Sequence, residues 1–92
     1  MSETANHNRS HSVRVRLSGL EARIAGQEDL EVPVSAAGTS VRDLKAALVA
    51  LQPRLAERLP GCRLAVNHEF VTDTAKVHPT DEVAVIGPVS GG

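Results

Sequence analysis

The final residues of the chain, 88–92, combine residue types that suit an extended tail. Pro88 restricts its own backbone and that of the preceding residue to extended conformations. Gly91 and Gly92 lack a Cβ, so they can pass through a channel that is too narrow for any other residue. At about 3.3 Å per residue the tail reaches roughly 15 Å, which would carry a terminal carboxyl into a partner's active site. From these residues alone, a frayed terminus explains the composition equally well.

Other side chains that could do chemistry are few and scattered. Cys62 is the only cysteine, and we expect a buried structural thiol there rather than a nucleophile or persulfide site. It falls on the inward face of a predicted strand, with no histidine nearby in the sequence to activate it. His7 and His11 have the spacing of helical metal ligands, but neither a helical pattern nor a third ligand accompanies them. Surface positions are predicted for His68 and His78.

The composition excludes several classes of function. A chain of 92 residues permits one small domain, and one cysteine permits neither an internal disulfide nor a thiolate metal cluster. A single aromatic residue gives no base-stacking platform, and a net charge of −1 is not that of a protein that binds nucleic acid or anionic lipid. No apolar run approaches the roughly 20 residues of a membrane span, and no secretory signal is visible. We therefore expect a cytoplasmic protein whose partners are neither nucleic acid nor membrane.

The pattern of the chain divides it into one folded domain between two tails. Residues 1–11 are mostly polar and have no periodicity, which predicts a disordered N-terminal tail. Residues 12–87 form the predicted domain, and residues 88–92 form the extended C-terminal tail.

Alternating polar and apolar residues, or short apolar runs, predict the strands. The segments are 12–17, 30–35, 62–66, the short pair 70–71 and 82–86. Pro33 cannot donate a hydrogen bond to a neighbouring strand, so the second segment is expected at an edge of the sheet. The continuous apolar run near the C-terminus suits a central strand. We expect a loop over 18–29 and irregular structure over 72–80.

One main helix is predicted to begin after Ser40, which has an acidic residue three positions later, as in a capping box; Thr39 is an alternative cap. Its apolar stripe consists of Val41, Leu44, Leu48 and Leu51. Pro53 ends this helix or begins a second short one over 53–59. One helix packed across a mixed sheet of four to five strands is the expected α+β fold. If the last strand lies parallel to the first, that fold is the ubiquitin-like β-grasp.

Several short motifs resemble those of a known family. They are 65–67 (Ala-Val-Asn), 81–83 (Asp-Glu-Val) and 88–92 (Pro-Val-Ser-Gly-Gly). The small subunit of molybdopterin synthase has a similar set in its carboxyl half, and it belongs to the sulfur-carrier family that also contains the thiamin sulfur carrier. The helix start at 39–44 is also similar, so the resemblance extends over about 12–92. It implies the ubiquitin-like β-grasp fold.

Two positions differ from the family pattern. Thr80 stands where the family usually has Gly, which predicts a turn that is either strained or built differently, because a non-glycine residue avoids positive φ. Gly87 stands where the family usually has the first of two prolines, which gives the root of the tail more conformational freedom.

The resemblance implies that Gly92 carries the chemistry. An E1-like enzyme would adenylate its carboxyl, and a persulfide from a sulfur donor enzyme would displace AMP and leave a thiocarboxylate. The tail would then enter the large subunit of molybdopterin synthase, in a heterotetramer, and donate sulfur to a pterin precursor. The acyl-adenylate and the thiocarboxylate would be covalent intermediates; no bound cofactor or metal is expected, and the chain alone would not be catalytic. The residues expected to bind partners are Gly91, Ser90, Val89, Pro88, Gly87 and Phe70.

Two alternatives to this function remain open from the sequence. The sulfur acceptor could instead be a thiamin thiazole, an amino acid or a siderophore. The chain could also be a ubiquitin-like modifier that is conjugated to proteins through Gly92, and its own lysines, Lys45 and Lys76, could accept such bonds. Phe70, the only aromatic residue, is expected to be either a core residue or an interface anchor.

Overall fold

The computed structural model describes residues 11–88. The predictions for residues 1–10, including His7, and for the tail residues 89–92 therefore lie outside the described residues. His11, which the sequence analysis placed in the N-terminal tail, is instead the first residue of a strand.

Within this range the chain forms seven strands and two α-helices. The strands are β1 (His11–Arg16), β2 (Asp29–Val34), β3 (Thr39–Ser40), β4 (Arg63–Val66), β5 (Glu69–Val71), β6 (Lys76–Val77) and β7 (Val83–Ile86). The α-helices are α1 (Gly19–Ala25) and α2 (Val41–Leu51), and two 3-10 helices, Pro53–Leu55 and Leu59–Gly61, follow α2.

Five of the strands form one mixed sheet in the order β2-β1-β7-β4-β5. β1 pairs with β2 as an antiparallel hairpin and with β7 in parallel, as predicted. β7 lies in the middle of the sheet, and β2 with Pro33 lies at an edge, where a missing N–H costs no bond of the ladder. This is the predicted α+β β-grasp arrangement.

The core is aliphatic and lies between the sheet and α2. The inward-facing residues of the strands are almost entirely Val and Leu, and they form one cluster with Val41, Leu44 and Leu48 of α2. Leu51 was predicted to complete this stripe, but it is about half exposed. The chain turns at Pro53 directly after α2, and the fully buried Leu55 of the first 3-10 helix enters the core instead.

The predicted helix start is confirmed. Ser40 precedes α2 in an extended conformation, and its hydroxyl accepts a hydrogen bond from the backbone N–H of Asp43 at 3.1 Å. This bond satisfies one of the N–H groups that have no partner inside the helix.

The prediction of a loop over 18–29 was wrong, because this segment contains α1. Gly19 and Gly26, which were taken as signs of a loop, instead mark the two ends of the helix. Both have left-handed φ angles, +59° and +76°. The N–H of Gly26 bonds to the carbonyls of Ala22 and Arg23, as a helix-ending glycine does.

The segment 72–80 is also more regular than predicted. Its residues Lys76 and Val77 form β6, which pairs antiparallel with β3 in a separate two-stranded sheet. With two residues in each strand, neither shows a detectable alternation in the sequence.

Candidate functional site

β7 leads directly into the predicted tail, so the residues around its two ends determine how the tail is presented. Gly87 and Pro88 follow β7 and are the last residues that the structure describes. A carboxylate lies near each end of the strand. We name the two groups the Asp81 cluster (Asn67, His78 and Asp81) and the Glu21 cluster (Glu21, Arg58, Cys62 and Gly87).

The Asp81 cluster closes the turn that precedes β7. One carboxylate oxygen of Asp81 accepts the backbone N–H of His78 at 2.8 Å, and the other accepts the side-chain amide of Asn67 at 3.0 Å. These donors, the His78 N–H foremost, stabilise the charged form and hold the pKa of the Asp81 carboxyl below its usual value. The carboxylate therefore acts as a fixed acceptor for one backbone N–H and one side-chain amide.

Asn67 joins this cluster to the neighbouring strand. Its carbonyl oxygen accepts the backbone N–H of Glu82 at 2.9 Å, and its own backbone N–H donates to the Glu82 carbonyl at 2.7 Å. Asn67 and His68 both have positive φ, 53° and 72°, which the tight turn between β4 and β5 requires. The turn predicted at Asn67 is confirmed, and two of the motifs that carried the family resemblance contact each other here.

Thr80 does not need the glycine-like conformation. Asn67 and His68 are the only non-glycine residues with positive φ within 11–88. The turn before β7 is instead closed by the N–H of Asp81, which donates to the carbonyl of His78 at 3.0 Å. The prediction that Thr80 requires a differently built turn is therefore consistent with this geometry.

The Glu21 cluster contains a buried carboxylate that is paired with a partly exposed arginine beside the end of β7. Glu21 is only 3% exposed, and its Oε2 accepts hydrogen bonds from Nε and Nη2 of Arg58 at 3.0 and 2.6 Å. A buried carboxylate is costly unless it is paired and hydrogen-bonded, and Arg58 meets both conditions.

Gly87 lies directly against the same carboxylate. A Cβ at this position would be 2.5 Å from Oε1 of Glu21, closer than two such atoms can approach. The φ angle of Gly87 is not in the left-handed region. Glycine is therefore needed here for space, a reason that the sequence interpretation of added freedom did not include.

Cys62 completes the cluster as a buried thiol, as predicted. Its Sγ lies 3.3 Å from the carbonyl oxygen of Arg58 and 3.8 Å from Oε2 of Glu21. Burial raises the pKa of the thiol, and the negative charge of Glu21 raises it further. Because the thiolate is the reactive form, this environment makes Cys62 a poor nucleophile.

The face of the sheet that points away from α2 carries Phe70. Phe70 is 53% exposed, which excludes the first of its two expected roles, that of a core residue. Phe70 pairs with Ala65 of β4, which in turn pairs with Ala84 of β7. The guanidinium of Arg63 lies 4.0 Å from the centre of the ring, within the range of a cation–π interaction. Phe70 thus lies two strands away from β7 on the outer face.

The remaining candidate residues lie apart from these clusters. His68 is exposed and its Nε2 is 2.9 Å from a carboxylate oxygen of Glu82, and the Lys45 ammonium is 3.3 Å from Asp73. Lys76 is exposed in β6.

The described residues contain neither a metal-binding cluster nor a membrane-spanning helix. Among residues 11–88, no group of three or more His, Cys, Asp and Glu side chains is placed to hold a metal ion. None of the helices in this range has the length and hydropathy that crossing a membrane would require.

Sequence reasoning missed Glu21 and Arg58. The two residues are 37 positions apart, and Glu21 stood in a predicted loop. One signal could have found it: on a helix over 19–25, Glu21 shares a face with Ile24 and Ala25, three and four positions later. A carboxylate on an apolar face of a helix requires a partner.

Comparisons with known proteins agree with the motifs. The model of the ThiS family matches residues 15–92. The molybdopterin synthase sulfur carrier subunit of Arabidopsis thaliana is 35% identical over 83 residues, which cover 90% of this chain and 85% of that protein.

Solved structures show the same fold. SAMP1 of Haloferax volcanii, a small archaeal modifier protein, is 28% identical with a TM-score of 0.79, over 88% of this chain and 99% of that one. A chain in the solved complex of subunits 1 and 2 of the molybdopterin-converting factor from Helicobacter pylori also matches. Its TM-score is 0.59 and its identity is 21%, over 88% of this chain and 99% of that one. This last likeness is one of fold alone.

Proposed function

The chain belongs to the ThiS family, and from that premise we propose that it is the sulfur carrier subunit of a molybdopterin synthase. The observation that carries the proposal is the family match, which continues from β1 through the folded domain to Gly92. The Arabidopsis relative, named a molybdopterin synthase sulfur carrier subunit, supports this choice of pathway. The proposal takes Gly92 as the residue at which the working chain ends.

The proposed chemistry takes place on the carboxyl of Gly92. A carboxylate is a poor acyl donor, so an E1-like enzyme first transfers AMP from ATP to it and releases pyrophosphate. The outer sulfur of a persulfide then attacks the carbonyl carbon and AMP leaves. Reduction of the resulting S–S bond by a thiol releases the thiocarboxylate. Sulfur then passes from Gly92 to the pterin precursor.

The chain contributes presentation rather than catalysis. Its thiol, Cys62, is buried with a raised pKa. In this proposal, the donors that stabilise the oxyanion during acyl transfer come from the partners. What this chain supplies is β7, which is hydrogen-bonded on both sides within the sheet and leads into Gly87 and Pro88.

Three partners follow from the proposal. They are the E1-like enzyme, the enzyme that carries the persulfide, and the large synthase subunit, which would bind the tail in a heterotetramer. The H. pylori neighbour is a complex of subunits 1 and 2, which supports a two-subunit assembly. The tail residues 88–92 and the exposed Phe70 are the proposed contacts.

Intact-mass measurement tests the chemistry. The full chain is incubated with its activating enzyme, ATP and a persulfide donor, and the expected product has one oxygen replaced by sulfur, which fragmentation places at Gly92. Cys62→Ala should form the same product, whereas a chain extended by one residue after Gly92 should not. Sulfur found only on Cys62 would refute the proposal.

The acceptor is tested separately. The thiocarboxylated chain is mixed with a large synthase subunit and the pterin precursor, and dithiolene formation with return of the carboxylate is expected. Transfer to a thiazole precursor or an amino acid instead would assign the chain to another branch of sulfur carriers.

Conjugation to proteins is the second candidate, because the chain shares its fold with an archaeal modifier protein at 28% identity. Conjugation predicts adducts of high mass that are joined through Gly92 to lysines and survive thiol reduction. A sulfur carrier without this activity gives only the thiocarboxylate. Immunoblotting of cells that express the tagged chain, with the Gly92 deletion as control, separates the two.

A further inference from the structure

We propose that Glu21, clamped by Arg58, is a positioning residue for the tail, because its carboxylate fixes how the backbone leaves β7. The inference rests on the proposed function in one respect only, namely that residues 88–92 are the working part of the chain. It concerns residues that the family resemblance did not identify.

The carboxylate of Glu21 is buried beside the end of β7. Glu21 is the one charged residue that is buried within 11–88, and the short helix α1 places it beside Gly87. Burying a charge stabilises a fold poorly compared with an apolar side chain of similar size. A charge kept at this site, next to the start of the tail, therefore points to a role in presenting the tail.

The two carboxylate oxygens of Glu21 make different contacts. Oε2 accepts both hydrogen bonds from Arg58, so the side chain cannot rotate without breaking them. Oε1 then occupies the place that a side chain at position 87 would take, 2.5 Å from the Cβ site. The clamp is thus rigid on the side that faces the backbone of Gly87.

The surface around Gly87, at the root of the tail, also restricts the chain. A groove runs between the start of α1 and the end of β7, and Leu20, Ile86 and Pro88 line it together with the ion pair. Glu21 closes one side of Gly87, and Pro88 restricts the backbone of the next residue. The backbone at Gly87 is therefore confined.

A fixed direction of the chain after β7 lowers the free-energy cost of binding a partner. A tail whose direction is already fixed loses less conformational freedom when it binds a partner than a tail that must be ordered on binding. Loosening the clamp should weaken recognition by the activating enzyme while leaving the rate of the bound complex unchanged.

The test compares Glu21→Ala and Glu21→Gln in the full chain. The first readout is the heteronuclear ¹⁵N NOE of the Gly87 amide. It should fall in Glu21→Ala, while the amides of Val83 and Val85 keep their values. Glu21→Gln retains an acceptor for Arg58 and the shape of the side chain, so it should stay near the wild type. Glu57→Ala removes an exposed carboxylate close to Arg58 in the sequence and should change nothing.

The second readout is the steady-state kinetics of adenylation by the activating enzyme. Glu21→Ala should raise the KM for the carrier about fivefold, with kcat unchanged, because only the ordering of the tail is lost. Arg58→Lys keeps the positive charge but cannot place two donors on Oε2, so it should move both readouts in the same direction by less. This variant also decides the matter if Glu21→Ala does not fold.

Two outcomes are distinguishable. If the Gly87 NOE and the KM keep their wild-type values in folded Glu21→Ala or Arg58→Lys protein, the ion pair is structural only and the inference is overturned. If the wild-type chain is not adenylated at all, the proposed function fails, and the NOE still decides whether Glu21 confines the tail root.

Discussion

The two ends of β7 are both held by a carboxylate, but the two carboxylates work in opposite ways. Asp81, before the strand, accepts hydrogen bonds from one backbone N–H and one amide at the surface. Glu21, after the strand, is buried and is held by a cation from a remote segment. The first end is secured by neutral donors and the second by an ion pair.

The two clusters also differ in how far the sequence indicated them. The Asp81 cluster is built from the motifs that carried the family resemblance. The Glu21 cluster surrounds Gly87, one of the two positions that depart from the family pattern. The two ends of β7 therefore have different anchors, the Asp81 cluster and the Glu21 cluster, and these two anchors should respond differently to mutation.

The largest effect is expected from Arg58→Met, which keeps most of the aliphatic stem and removes the charge that pairs with Glu21. Leaving a buried carboxylate unpaired should lower the free energy of unfolding by about 2–3 kcal/mol, less than for a fully buried pair because Arg58 is partly exposed. Urea denaturation at pH 7 measures this loss.

The exposed Arg54 gives the control for this change. Arg54→Met alters the same charge in the neighbouring 3-10 helix and should stay within about 0.5 kcal/mol of the wild type. Adding Glu21→Gln to Arg58→Met should recover part of the loss. If Arg58→Met and Arg54→Met are equally stable, the ion pair between Glu21 and Arg58 contributes nothing to the free energy of unfolding.

A smaller loss is expected from Gly87→Ala, because the new Cβ meets a carboxylate that cannot swing away. We expect about 1–2 kcal/mol, as for other overpacked sites. In a Glu21→Ala background the same substitution should cost less than about 0.5 kcal/mol, which a double-mutant cycle detects.

Gly61→Ala is the matched glycine control. A Cβ at Gly61 would meet nothing within 4 Å, and its φ is not in the left-handed region. This substitution should therefore be neutral or slightly stabilising. If Gly87→Ala lowers the free energy of unfolding equally in the wild-type and Glu21→Ala backgrounds, a steric clash with Glu21 is not the reason for the loss.

Asp81→Ala should cost about 1 kcal/mol, since the two hydrogen bonds it removes are near the surface, where water replaces them. Thermal unfolding followed by circular dichroism measures the change. Asp73→Ala removes an exposed carboxylate that pairs with Lys45 and should have a smaller effect. A loss larger than that of Arg58→Met would reverse the ranking of the two anchors.

The smallest effect is the pH dependence of the same cluster. The pKa of Asp81 in the folded state lies below its usual value of 3.8, so its contribution is present above that pH. It is lost as the pH falls through the folded pKa. The stability difference between the wild type and Asp81→Asn should therefore shrink below pH 3.8.

Glu31 has a pKa that is also lowered, first by the Ser12 hydroxyl and then by Arg14. It titrates in both proteins, so its contribution cancels in the difference. A stability difference between the wild type and Asp81→Asn that grows as the solution is acidified would contradict the hydrogen-bond assignment at Asp81.

Local patterns were enough to predict much of the fold. Alternation located β1, β2 and β4, and a continuous apolar run located β7. The acidic residue three positions after Ser40 indicated the helix cap. The tolerance of Asn for positive φ indicated the turn at Asn67. Each of these features depends on residues within a few positions of one another, and the family motifs then supplied the arrangement of the strands.

Contacts between distant segments could not be predicted. The helix α1 has seven residues, too few for a clear period, and its flanking glycines also suit a loop. The pairing of Glu21 with Arg58 spans 37 positions, so neither residue indicates the other. The exposure of Phe70 depends on its register opposite Ala65, which composition cannot determine.

The central place of β7 has a consequence for biosynthesis. β7 is the last of the described strands to be synthesised, yet β1 and β4 can join the sheet only by pairing on either side of it. Such pairing between the ends of a chain is slow, because a long loop must close before any contact forms. A chain that stops before Ile86 would lack the middle of its sheet. Products of interrupted translation should therefore be cleared by proteolysis rather than compete, without a tail, for the same partners.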